Sequence, residues 1–175
     1  MAQSSKHTKP VFTPKPTPSP RAIKQFIQYL HARLDESPMS FHSLLNDTRL
    51  CAPIFSHMAQ DSCYDIRLLA AIHPETPTRT ITRLSQDSSS YIRRYTTAHP
   101  NISSNALRRL ASDSSKAVRK QLAQRLDQPR PPFAILAKDT SPTVRLGVIQ
   151  NPYTPISIVK HLTYDRYLGI AIWAK

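Results

Sequence analysis

Residues 73–98 read HPETPTRTITRLSQDSSSYIRRYTTA, and residues 99–124 read HPNISSNALRRLASDSSKAVRKQLAQ. Laid over one another they match His on His, Pro on Pro, Asp87 on Asp113 and Arg93 on Arg119. The 26-residue interval between them runs outward in both directions. Asp61, Asp87, Asp113, Asp139 and Asp165 form one column. Ile66-Arg67, Ile92-Arg93, Val118-Arg119, Val144-Arg145 and then Ile170-Ala171 form another. Two apolar columns stand upstream: Met58, Leu84, Leu110, Leu136, Leu162, and Phe55, Ile81, Leu107, Phe133, Val159. A fixed period of this order marks a repeat architecture. Stacked repeats expose an extended binding surface more readily than a catalytic pocket.

Each unit parses as two helices. Thr76-Pro77 predicts the N-cap and first turn of a first helix, with Ile81 and Leu84 on its buried face. Its length should be about ten residues, an ordinary helix. The Asp87-Ser88-Ser89-Ser90 turn stops it, because short polar side chains compete for backbone hydrogen bonds. Ser88 or Ser89 caps a second, shorter and partly 3₁₀ helix with Ile92 inward. Pro100 then forbids continuation. The repeats run 47–72, 73–98, 99–124, 125–150 and 151–175. The expected fold is all-α: an α-solenoid of about five two-helix repeats, a count read from this register.

Upstream, residues 1–19 are Ser, Thr, Pro and Lys with little to bury. That composition predicts a disordered basic tail. Residues 20–46 form an N-terminal helical cap. Ser19-Pro20 starts a helix with Ile23, Phe26, Ile27, Leu30 and Leu34 on one face, and Phe41 to Leu45 make a second short helix. Only two glycines occur, Gly147 and Gly169. Their scarcity disfavours phosphate-cradling loops and hairpin-rich folds. No apolar run is long enough to span a bilayer, and no apolar segment follows Lys6 and Lys9 to make a secretory leader. Two cysteines, Cys51 and Cys63, fit free thiols in a reduced cytoplasmic setting.

His73-Pro74-Glu75-Thr76-Pro77, Asn151-Pro152-Tyr153-Thr154-Pro155, the Asp-x-Ser turns, Val118-Arg119 and Val144-Arg145 resemble the leucine-rich repeat variant family, a relative of the HEAT-like solenoids. The resemblance covers residues 47–175. It implies a right-handed superhelix of paired short helices and says little about function. Some members carry a cysteine-rich iron–sulphur segment ahead of the repeats. This chain has no such cluster, so no cofactor is implied. Arg125-Leu126 stands where the pattern has His-Pro or Asn-Pro, so the turn there should differ.

The Asp column and its partners Arg67, Arg93, Arg119 and Arg145 read as a structural ladder locking each repeat to its neighbour. That ladder takes up five of the eleven acidic residues, against a formal charge of +13. A basic stripe remains: Arg79, Arg83, Arg94, Arg108, Arg109, Lys116, Lys120 and Arg125. It predicts an anionic partner. His73 and His99 share a turn position with Asn151 and read as turn residues. Tyr91 lies among the arginines, whereas Tyr95 is placed in the core. In the last repeat Leu168, Ile172 and Trp173 predict an exposed apolar edge for a partner or a homodimer. The favoured reading is a non-catalytic adaptor binding an acidic protein surface through the stripe and this edge. The alternative is a nucleic-acid binder that contacts phosphates and reads little sequence. No residue is assigned to catalysis or metal binding.

Overall fold

The computed structural model describes residues 17–36, 46–47, 49–165 and 167, with side chains except at 35 and 36. Among the described residues there are ten α-helices and no strand: α1 (Pro20–Glu36), α2 (Ala52–Met58), α3 (Tyr64–Ile72), α4 (Thr78–Leu84), α5 (Ser90–Ala98), α6 (Ser104–Leu110), α7 (Lys116–Ala123), α8 (Phe133–Leu136), α9 (Pro142–Gln150) and α10 (Ile156–Leu162). First helices begin at 52, 78, 104 and 156, and second helices at 64, 90, 116 and 142, which keeps the 26-residue interval of the sequence; α8 departs from it, beginning at 133, three residues late. Residues 1–16 of the tail expected over residues 1–19, the helix at Phe41–Leu45 and the apolar edge at Leu168, Ile172 and Trp173 lie outside the described residues.

The apolar columns make the core. Phe55, Ile81, Leu107 and Phe133 are buried, as are Met58, Leu84, Leu110, Leu136 and Leu162. Ile66, Ile92, Val118 and Val144 on the second helices are fully buried. Each such side chain stabilises by about 1.5–3 kcal/mol relative to exposure. The second helices pack directly on one another, α3 on α5, α5 on α7, α7 on α9. Each also touches the first helix of the next unit, α3 with α4, α5 with α6, α7 with α8. Helix α1 packs on α2 and α3 in the same way, as a second helix packs on the unit that follows it.

Three local expectations are corrected. First helices such as α4 have seven residues, and the second helix α5 has nine, so the second is the longer. The first helix closes early because Gln86 N–H and Asp87 N–H bond to Arg83 and Leu84 carbonyls, a tight turn ahead of the aspartate. Thr76 is not the N-cap. Pro77 holds that place, and Thr76 is fully buried with its hydroxyl unpaired. The serines of the Asp turn do not cap through their hydroxyls either. Ser89 occupies the N-cap without a side-chain bond, and its N–H is bound by Asp87 Oδ1 at 2.9 Å. At the start of α1 the expectation holds, with Ala22 N–H donating to Ser19 Oγ at 3.2 Å.

Candidate functional site: a double ladder beneath a cationic, tyrosine-bearing surface

The aspartate–arginine columns meet across repeats. Arg67 Nε donates to Asp87 Oδ2 at 2.8 Å, Arg93 to Asp113 at 2.7 Å, Arg119 to Asp139 at 2.6 Å and Arg145 to Asp165 at 2.6 Å. Each arginine also reaches back into its own turn. The Nη1 groups donate to the carbonyls of Asp61, Asp87, Asp113 and Asp139. Each carboxylate in turn accepts the backbone N–H two residues on, at Cys63, Ser89, Ser115, Ser141 and Tyr167. One side chain therefore fixes a turn and a repeat-to-repeat contact together. The first aspartate, Asp61, has no preceding repeat. His31 of α1 takes the arginine's place, with Nε2 at 3.2 Å from Asp61 Oδ2.

The electrostatics follow from this geometry. Burial pushes the Asp113 carboxyl up, but Arg93, the Ser115 N–H and Arg119 outweigh it and hold it below the ordinary carboxylate range. Asp139 behaves alike, with burial opposed by Arg119, the Ser141 N–H and Arg145. Arg93, Arg119 and Arg145 are each held more firmly protonated by the aspartate of the next unit.

A second ladder, missed as such in the sequence, uses residues 73, 99, 125 and 151. His99 Nε2 lies 2.8 Å from the His73 carbonyl. Arg125 Nη1 donates to the carbonyls of Thr97 and His99 at 2.7 and 3.2 Å. Asn151 Nδ2 donates to the carbonyls of Ala123 and Arg125, both at 2.8 Å. The same side chains bind their own turns: His73 Nδ1 accepts Glu75 N–H, His99 Nδ1 accepts Asn101 N–H, and Asn151 Oδ1 accepts Tyr153 N–H. The available signal was the recurrence, once per repeat, of a side chain able to hydrogen-bond.

Arg125 corrects the expected stripe. It is buried, with four bonds to carbonyls, the remaining two being Nε to Pro129 and Nη2 to Gln128. Burial pushes its pKa down, opposed by Asp127. The junction after Ala123 does differ from the others, as expected. It runs to Phe133 before the next first helix begins, and the longer arginine side chain fills its turn.

The other stripe residues divide between the two kinds of helix. Arg79 and Arg83 on α4 and Arg108 and Arg109 on α6 are exposed, and no first helix from α2 to α10 contains an acidic residue. Arg79 and Arg83 border an open cleft of about 340 Å³ between α2 and α4. Lys116 and Lys120 are exposed on α7, and Arg94 is half-buried on α5. Arg94 places its guanidinium 4.8 Å from the Tyr91 ring centre and 5.9 Å from that of Tyr95. Tyr95, expected in the core, is 38% exposed, beside Tyr91 at 53% and Tyr64 at 37%. Burial and the nearby Tyr95, Asp65 and Tyr91 push the Tyr64 phenol up. The equivalent positions are Leu69 and Gly147, both buried, and Gln121, half-buried, so this column is not uniformly core.

The larger clefts run along the first ladder, where Asp113 and Asp139 are already bonded to Arg93 and Arg119. Among the described residues no cluster of His, Cys, Asp and Glu is arranged to hold a metal ion, Cys51 and Cys63 are both free thiols, and no helix is long and apolar enough to cross a membrane. No family model, curated protein or solved structure matches this chain.

Proposed function

We propose that this chain is a non-catalytic, right-handed α-solenoid of the leucine-rich repeat variant kind that binds nucleic acid in the cytoplasm, mainly through phosphates. The observation that carries the reading is the use of the carboxylates. Asp87, Asp113, Asp139 and Asp165 are each tied to an arginine of the preceding repeat, so the outward cations have little acidic surface beside them. Uncompensated cations in rows favour a polyanion. Tyr91 and Tyr95 are exposed beside Arg94, and Tyr64 is exposed near the two tyrosines. Their exposure favours nucleic acid, which uses aromatic faces as well as charge.

A second reading is an adaptor for an acidic protein surface. It is favoured by the four exposed arginines of α4 and α6 on first helices that carry no acid. Homodimerisation through Leu168, Ile172 and Trp173 belongs to this reading.

Salt-titrated binding of the full chain to single-stranded DNA, RNA, duplex DNA and polyglutamate tests both. Nucleic-acid affinity that falls steeply with salt, and flattens when Arg94, Lys116 and Lys120 are reversed to Glu, supports the first reading. Binding to polyglutamate alone, lost on reversal of Arg79, Arg83, Arg108 and Arg109, replaces it with the second.

A further inference from the structure

The exposed side of the second helices carries Tyr64 on α3, Tyr91, Arg94 and Tyr95 on α5, and Lys116 and Lys120 on α7. Because α3 packs on α5 and α5 on α7, these six residues cross three adjoining helices. Neighbouring packed helices lie about 10 Å apart. The Tyr91 and Tyr95 ring centres are 6.1 Å apart with planes tilted by 51°. Arg94 is held over both rings and, among the described residues, by no carboxylate. Its neighbour one repeat on is Lys120, with Lys116 one turn before that on α7. Within α3, α5 and α7 the one acidic residue is Asp65, exposed and next to Tyr64 at the start of α3.

Resting on the nucleic-acid reading above, we infer that the tyrosine–cation patch of α3, α5 and α7 is a binding site for single-stranded nucleic acid. The chemistry separates the candidates. A duplex keeps its bases stacked inside and offers this patch only phosphate, which leaves three tyrosine rings unmatched. An acidic peptide offers carboxylates to Arg94, Lys116 and Lys120 and likewise leaves the rings without a partner. A single strand offers both, with unstacked bases for Tyr91 and Tyr64 and phosphates for the cations. Asp65 sets the orientation of the contact. Phosphates are repelled at the α3 end and attracted at α7, so bases sit toward α3 and the backbone toward Lys116 and Lys120.

The test is fluorescence anisotropy of the full chain with a labelled oligothymidylate, the matching duplex, and labelled polyglutamate. The variants are Tyr91→Ala, Tyr91→Phe, Tyr64→Ala and Arg94→Glu with Lys120→Glu, each checked by thermal melting. Stacking on one ring is worth about 1–3 kcal/mol, so Tyr91→Ala should weaken oligothymidylate binding about tenfold. Tyr91→Phe should retain it. The double charge reversal should also reduce the salt slope by about 1.4, two contacts at ~0.7 each. Duplex bound as tightly as oligothymidylate, with Tyr91→Ala unchanged, overturns this inference and leaves phosphate-led binding standing. Polyglutamate binding with no nucleic-acid binding overturns both.

Discussion

Removal of Arg93 should test whether the first ladder is structural. The Arg93 side chain is 13% exposed and that of Asp113 is 7% exposed. Water and salt therefore screen this pair poorly. Arg93 donates to Asp113 Oδ2 at 2.7 Å, Asp113 Oδ1 at 2.9 Å, the Asp87 carbonyl at 2.8 Å and the Ser88 carbonyl at 3.1 Å. In Arg93→Ala the Ser88 carbonyl is exposed and regains water. Asp113 keeps the Ser115 N–H at 2.8 Å but loses its bidentate partner. The Asp87 carbonyl loses a part-buried donor. Bonds to charged groups contribute about 1.5–3 kcal/mol and stranded buried charges about 3–5 kcal/mol, so a net loss of about 3 kcal/mol is expected. For a chain of this size that lowers Tm by roughly 6–12 °C. Arg93→Lys should recover less than half, because an ammonium cannot supply the fork geometry. A cycle with Asp113→Ala, followed by urea unfolding, should give a coupling of about 2 kcal/mol. The gap between parent and Arg93→Ala is full above the unfolded carboxyl pKa of about 3.9. It narrows as pH falls through the depressed value of Asp113. A variant that melts within about 2 °C of the parent but loses its partner would refute a structural ladder and make the column a binding site.

The second ladder, the cap and the buried hydroxyl give further checks. Four carbonyls lose their donor in Arg125→Ala. That variant should cost about 3 kcal/mol in urea unfolding. Arg83→Ala, at an exposed site, should cost ~0.5 kcal/mol or less. Equal small losses would return Arg125 to the surface stripe. His99 is held below the ordinary imidazole range, first by burial and then by Arg125 and His73, against the His73 carbonyl bond. Its stabilising contribution is therefore full above about pH 6.5 and is lost as pH falls from there toward the folded value, at up to ~1.4 kcal/mol per unit. His99→Asn, which copies Asn151, should abolish that part of the slope in paired melting curves, and an unchanged slope would show that His99 does not titrate on unfolding. Thr76 carries an unpaired buried hydroxyl at the position where the next repeat has Ile102. Thr76→Val should therefore raise Tm by roughly 2–4 °C in calorimetry, and a lower Tm would mean that the hydroxyl has a partner. Asp61 loses its partner from α1 in His31→Ala. Stability should fall by about 0.5–1 kcal/mol in urea unfolding, whereas His31→Arg should restore it.

The helical class, the 26-residue spacing of helix starts and the buried columns could be read from the sequence because they depend on side chains that recur in register. The boundaries were less legible. Thr76-Pro77 has the composition of a cap, yet the chain needs that threonine inside, and the helix begins after the proline. The site was legible in charge and illegible in depth. Charge alone groups Arg94 with Arg125, although Arg125 stands at the turn position of His73, His99 and Asn151; packing puts Arg94 over tyrosine rings and Arg125 among carbonyls. His31 could not be assigned to Asp61, because the two lie on elements that have no repeat relation to each other.

The two ladders also explain why so basic a chain can hold a tightly packed stack. Self-repulsion among like charges opposes a compact state. Here the arginines nearest the repeat junctions, Arg67, Arg93, Arg119 and Arg145, are each balanced by a carboxylate of the next unit. The second ladder at the other end of the second helices uses neutral His99 and Asn151 and one buried cation, Arg125, solvated by carbonyls. Neither ladder draws on the exposed cations. Arg79, Arg83, Arg108, Arg109, Lys116 and Lys120 are consequently free to vary without unlocking the repeats. Surface charge on such a scaffold can be tuned to a partner while the junctions stay fixed. Reversing Lys116 and Lys120 should therefore leave Tm nearly unchanged whatever it does to binding, and a large fall in Tm would show that the exposed cations belong to the stacking after all.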